Sequence, residues 1–133
     1  MPDTLPEHVK KFVFDYIDSV EQLEILLLLS QRPGEAWTAE TVSREMRSNA
    51  HSTELRLRRL QSQDLLTEEP PGHFRFSASD PGILQTIQDL SSVYASRRHR
   101  VLELVFAPLK QSRAIAEAFR FSGKKPPKGG TDG

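Results

Sequence analysis

Residues 38–66 read TAETVSREMRSNAHSTELRLRRLQSQDLL, and this stretch decides the fold. Thr38 is a helix N-cap candidate, and Glu40 in the first turn suits the helix dipole. Ala39, Val42 and Met46 then recur on one helical face. Ser48-Asn49 interrupts the pattern, and Asn49 can cap a second helix. In that helix Ala50, Thr53, Leu57 and Leu60 share one side. Asp64 stands where it should end, a residue type that tolerates the left-handed conformation. The spacing predicts a short helix, a tight turn and a longer helix.

Downstream, LLTEEPPGHFRFSA spans residues 65–78. Two short extended runs flank Pro70-Pro71-Gly72, which suits a turn with Pro at i+1 and Gly at i+2. Phe74 and Phe76 fall on one face and Arg75 on the other, so the segment reads as a β-hairpin. Trp37 is read as an anchor in the core or in the hairpin's sheet.

Upstream, Pro6 can open a helix in which Val9, Phe12, Val13 and Tyr16 form a stripe. Ser19 and Gln22 have the spacing of a capping box for a second helix. That helix is apolar almost all round from Leu23 to Leu29, so it needs packing partners on several sides. Arg32-Pro33-Gly34 stops it. After the hairpin, Asp80-Pro81 is a strong helix start. The following stripe is Ile83, Ile87, Leu90, Tyr94, Arg97, Val101 and Leu104, with alternating steps of four and three. It predicts one helix to about Phe106, about 40 Å long, and a heptad-like seam. Pro108 ends it or opens a further helix carrying Ile115 and Phe119. The last twelve residues, SGKKPPKGGTDG, read as a disordered basic tail.

Helix, short helix, turn, helix and hairpin is the order of a winged helix-turn-helix. Residues 38–66, with a wing through Ser77, resemble the DNA-binding domain of prokaryotic winged-helix transcriptional regulators, the broad MarR-like group. The matching pattern is the T-x-E helix, the cap at Asn49 and the Leu-rich ending at Leu65-Leu66. Where that group commonly has glycine, this chain has Arg47 and Asp64; where it has an apolar turn residue, this chain has Ser48. The resemblance implies a mainly α fold with a small β-hairpin wing and long flanking helices. It divides the chain into a winged domain over 1–78, C-terminal helices for dimerisation over 79–121, and a tail over 122–133.

The implied function is transcriptional regulation by reading duplex DNA as a homodimer. With Leu57 inward, helical geometry turns Ser52, Leu55, Arg59 and Ser62 outward, flanked by His51, Arg56 and Arg58. Expected on the base side are His51, Ser52, Leu55, Arg56 and Arg59, since Arg reads guanine bidentately and Leu can meet a thymine methyl. Expected on the phosphate side are Arg44, Arg47, Arg58 and Arg75. Expected in the dimer seam are Ile83, Ile87, Leu90, Tyr94, Val101 and Leu104.

Charge tempers this reading. The 133 residues carry 18 Lys+Arg and 18 Asp+Glu. Residues 1–69 hold 8 basic and 13 acidic side chains, whereas residues 70–133 hold 10 and 5. Residues 31–66 hold 6 Arg against 5 acids, a weak excess for a nucleic-acid surface. The DNA reading is favoured if Arg56 and Arg59 share a face with Arg97 to Arg100 and Glu68 and Glu69 turn away. Otherwise a protein-interaction module becomes the better reading, in which Leu55 and the acidic wing dock a partner and the basic C-terminal half engages an acidic one. Arg97, on the seam, is expected to pair with an acid of the N-terminal half.

Other classes find no support in the residues. There is no cysteine, hence no thiol nucleophile or Cys-zinc site. His8, His51, His73 and His99 form no metal motif, and no nucleophile elbow or glycine-rich phosphate loop occurs. The expectation is a non-enzyme without metal or cofactor. The longest apolar run is Ile25–Leu29, too short for a membrane span, and the N-terminus lacks a signal-peptide pattern. A cytoplasmic protein is expected.

Overall fold

The computed structural model describes residues 5–107. The element order is α1 (Glu7–Tyr16), α2 (Val20–Ser30), α3 (Ala39–Met46), α4 (Ala50–Ser62), β1 (Leu66–Glu68), β2 (Phe74–Phe76), α5 (Pro81–Ser96) and α6 (Arg98–Val105). The helix expected around Ile115 and Phe119, the tail and the lysines within it lie outside the described residues.

Helix α2 is the centre of the molecule. Leu23, Ile25, Leu26, Leu27 and Leu29 are buried, and α4, β2 and α5 pack around them. Each buried leucine contributes roughly 1.5–3 kcal/mol, which explains why so uniformly apolar a helix is stable here. Helix α1 buries Val9, Phe12 and Val13 against α5 and α6. His8 fastens α1 to α5, with Nε2 2.7 Å from Asp89 Oδ2.

The caps sit where the residues place them, with one shift. Ser19 accepts the Gln22 backbone N–H at 3.1 Å. The reciprocal half of the expected box is displaced, because the Gln22 side chain accepts from Asp18 N instead of Ser19 N. The completely buried Gln22 also donates to Tyr16 O at 2.9 Å and to Gln63 Oε1 at 3.1 Å. It thereby ties the α1–α2 turn to the end of α4. Ala50, expected on the inner side of α4, is exposed; Thr53, Leu57 and Leu60 are buried as expected.

The hairpin pairs Leu66 with Phe76, Thr67 with Arg75 and Glu68 with Phe74. Gly72 has φ +83° and His73 N donates to Pro70 O, so Pro71 and Gly72 occupy the two central turn positions. Trp37 adds a third, one-residue strand, exchanging backbone hydrogen bonds of 2.7 and 2.6 Å with Phe74.

The single long C-terminal helix does not form. Asp80 caps α5 as expected, accepting from Ile83 N at 2.9 Å. The helix then stops at Ser96, Arg97 leaves helical geometry (φ −137°, ψ 53°), and α6 starts at Arg98. The reason lies in the packing. Helix α1 has ten residues, about 15 Å, and a straight 40 Å helix would overrun it. Turning at Arg97 lays α6 on α1 and α5 and buries Val101 and Val105 in the same core.

Candidate nucleic-acid interface

Helices α3 and α4 meet across a turn that runs without glycine. Arg47 closes α3 in the left-handed region (φ 57°), and Asp64 does the same beyond α4 (φ 65°). These are the two positions where the resembling regulators commonly carry glycine. At the turn Ser48 N donates to Ser43 O at 2.9 Å. The Ser48 hydroxyl lies 3.0 Å from that of buried Thr53, so a polar contact replaces the expected apolar one. Asn49 then accepts from the N–H groups of His51 and Ser52 at 2.8 and 3.1 Å, which sets the start of α4.

With Leu57 and Leu60 buried, α4 shows solvent an outer face and two flanks. His51, Leu55, Arg58, Arg59 and Ser62 are exposed, and Leu55 keeps 53% of its surface. One flank meets the start of α2. There Arg59 Nε lies 2.8 Å from Asp18, and Arg56 Nε lies 3.1 Å from Glu21. The Ser52 hydroxyl donates to the other Glu21 oxygen at 2.9 Å. The other flank meets the wing. Arg58 pairs with Glu54 and Glu68 at 3.1 and 3.0 Å and lies over the Phe74 ring. Both acids raise the Arg58 pKa, Glu68 most. Glu68 in turn is held below the usual carboxylate range, first by the Gly72 N–H and then by Arg58.

Ser52, Arg56 and Arg59 thus come together, but on acids rather than free. Arg44 lies 4.0 Å from Glu40 on its own helix. Arg47 and Arg75 are exposed and have no ion-pair partner among the described residues. The wing acid Glu68 turns toward α4, not away from it.

Beyond α4 the acidic edge continues. Glu24, one turn after Glu21, accepts from Arg98 at 3.0 Å and from the Tyr94 hydroxyl at 2.5 Å. Burial first and the Glu24 hydrogen bond second push the Tyr94 phenol up, while Glu24 and Tyr94 raise Arg98. Arg98 therefore links α6 to the N-terminal half of the chain. Arg56 and Arg98 reach consecutive turns of the same α2 edge.

Of the expected seam, Ile87, Leu90 and Val101 are buried within the chain, while Ile83, Tyr94 and Leu104 are partly covered. Phe106, just past α6, is 60% exposed. The partners that sequence reasoning missed are Asp18, Glu21 and Glu24. Their three-residue spacing was the available signal, but nothing local to α4 announces them.

Among the described residues no group of His, Asp or Glu could hold a metal, and no helix is long and apolar enough to cross a membrane. No family model matches the sequence, and no curated protein matches it. Among solved structures, MepR, a transcription regulator of the Staphylococcus aureus multidrug efflux pump MepA, is 10% identical. It aligns over 86% of this chain and 85% of its own, with a TM-score of 0.49. The Mycobacterium tuberculosis MarR family protein Rv2887 is 17% identical over 88% of this chain and 83% of its own, with a TM-score of 0.51. That likeness is one of fold: among the described residues, six helices and a two-stranded hairpin are arranged as a MarR-like winged helix.

Proposed function

We propose that the protein is a cytoplasmic transcriptional regulator that binds duplex DNA through α4 as a homodimer. The observation that carries this is the capped, rigidly backed α4, whose outer face is open to solvent within a MarR-like winged helix. A helix presented this way enters a major groove N-terminus first. His51, Ser52, Leu55, Arg56 and Arg59 then take the base side. Arg44, Arg47, Arg58 and the wing residue Arg75 take the phosphates. The partly covered Ile83, Tyr94 and Leu104, with exposed Phe106, supply the self-association surface. Ile87, Leu90 and Val101 support it from beneath.

Selection of binding sites from random duplex at stated salt tests the proposal. It expects a recovered palindrome, a negative salt slope, and loss of selected-site binding in Arg56→Ala/Arg59→Ala. Absence of duplex binding at low salt refutes it.

The exposure of Leu55 and the turn of Glu68 toward α4 favour a second reading, a protein-docking face centred on Leu55 and ringed by ion pairs. In that case Leu55→Asp abolishes capture of a protein partner, and random and selected duplex compete equally poorly.

A further inference from the structure

Asp18, Glu21 and Glu24 recur every third residue through the start of α2. Glu21 and Glu24 lie one turn apart on one edge of α2, and Asp18 stands just before the Ser19 cap, outside the helix. The first two reach α4, where Asp18 holds Arg59 at 2.8 Å and Glu21 holds Arg56 at 3.1 Å together with Ser52 at 2.9 Å. The partners are separated by 41 and 35 residues, so the fold creates these pairs. The edge is also held in place. Asp18 donates its backbone N–H to Gln22, whose amide is completely buried and bonded to Tyr16 and Gln63.

Partly exposed pairs of this kind add little to stability. Their larger effect is on what the arginines are able to do. A guanidinium offers a planar fork of N–H donors that fits carboxylate and phosphate alike. A carboxylate seated in that fork holds the place of a phosphate. A duplex has to displace it, and the displaced acid then remains beside the backbone as a like charge.

We propose that Asp18 and Glu21 are built-in phosphate competitors, which occupy Arg59 and Arg56 in the free protein and must release them before α4 engages DNA. This rests on the DNA reading above and adds a regulation to it. Duplex of arbitrary sequence offers these arginines phosphates alone, which poorly offsets the opening of two ion pairs. A site that also supplies matching base edges offsets it. The two acids therefore lower the affinity for every duplex, so that at a given concentration only sites whose base edges offset the opening are occupied.

The test compares the full chain with Asp18→Asn, Glu21→Gln and the double variant. Glu7→Gln, on α1 away from α4, is the control for net charge. Thermal melts confirm folding, and fluorescence anisotropy measures binding to a labelled random-sequence duplex across a salt series. The double variant should bind roughly tenfold tighter at low salt. Its salt slope should steepen by up to about 1.8, from two more available cations. Glu7→Gln should match the parent chain. If the parent binds and the double variant is no tighter, or if Glu7→Gln tightens as much as either single variant, the acids are not competitors and the DNA reading stands alone. If the variants bind and the parent does not, both readings are supported. If no chain binds any duplex, both fall.

Discussion

Arg58 joins the outer flank of α4 to the wing through Glu68, its Nη1 3.0 Å from Oε1 of the carboxylate. The same carboxylate accepts the Gly72 N–H at 2.7 Å at the wing tip. The Gly72 hydrogen bond and Arg58 together hold Glu68 below the ordinary carboxylate range. A depressed carboxylate stabilises the fold fully above its ordinary range, and the contribution fades as pH falls through the lowered value. The Gly72 amide resonance is expected to titrate with a midpoint below that of an unperturbed glutamate, and Glu68→Gln should remove the transition. An ordinary glutamate midpoint would contradict the contact.

Asn49 satisfies two amides that α4 otherwise leaves bare. Asn49→Ala should cost about 1 kcal/mol and lower the melting temperature by about 5 °C. Asn49→Asp should retain most of that stability. Circular dichroism melts decide it; an unchanged midpoint in the alanine variant means the cap contributes nothing.

Arg47 combines an unfavourable backbone conformation with an exposed charge. At φ 57° a side chain carries a steric penalty that glycine lacks. Arg47→Gly should stabilise the fold by roughly 0.5–1 kcal/mol once glycine's greater unfolded-state freedom is deducted. The same change should weaken duplex binding and flatten its salt slope by about 0.9 if Arg47 holds a phosphate. Denaturant unfolding and anisotropy would then move in opposite senses. Loss of stability would show that the turn needs the arginine side chain.

Gln22 is a buried amide with both of its ends engaged. Gln22→Ala leaves the Asp18 N–H without that acceptor and opens a void, at a cost of roughly 1–3 kcal/mol for the lost hydrogen bonds. Urea titration should show a lower midpoint with an unchanged slope. A midpoint within error of the parent would mean that water replaces the amide at no cost.

Much of the fold was legible because its signals are local. Thr38, Asn49 and Asp80 cap the helices that follow them, and Pro71-Gly72 turns the hairpin as those residue types require. The break at Arg97 was not legible. The apolar steps run through it unbroken, and no proline or glycine marks it; the decision belongs to α1, whose length limits what a straight helix could cover. The outer face of α4 was read correctly as to direction, since Leu55 and Arg59 are exposed and Leu57 is buried. The state of its arginines was not, because Asp18 and Glu21 lie more than thirty residues upstream. Counting charge along residues 31–66 finds a small excess of arginine. Folding adds acids to that surface which no local window contains.

The backbone exchange between Trp37 and Phe74 has a mechanical corollary. Trp37 immediately precedes Thr38, the cap of α3, while Phe74 opens the returning strand of the wing. Two hydrogen bonds between them make the wing and the entry to α3 one lever with a common fulcrum. A force that lifts the wing tip is passed to the start of α3 instead of being absorbed in the exposed loop 31–36. The amides of Trp37 and Phe74 should accordingly exchange with deuterium as a pair, at one shared rate.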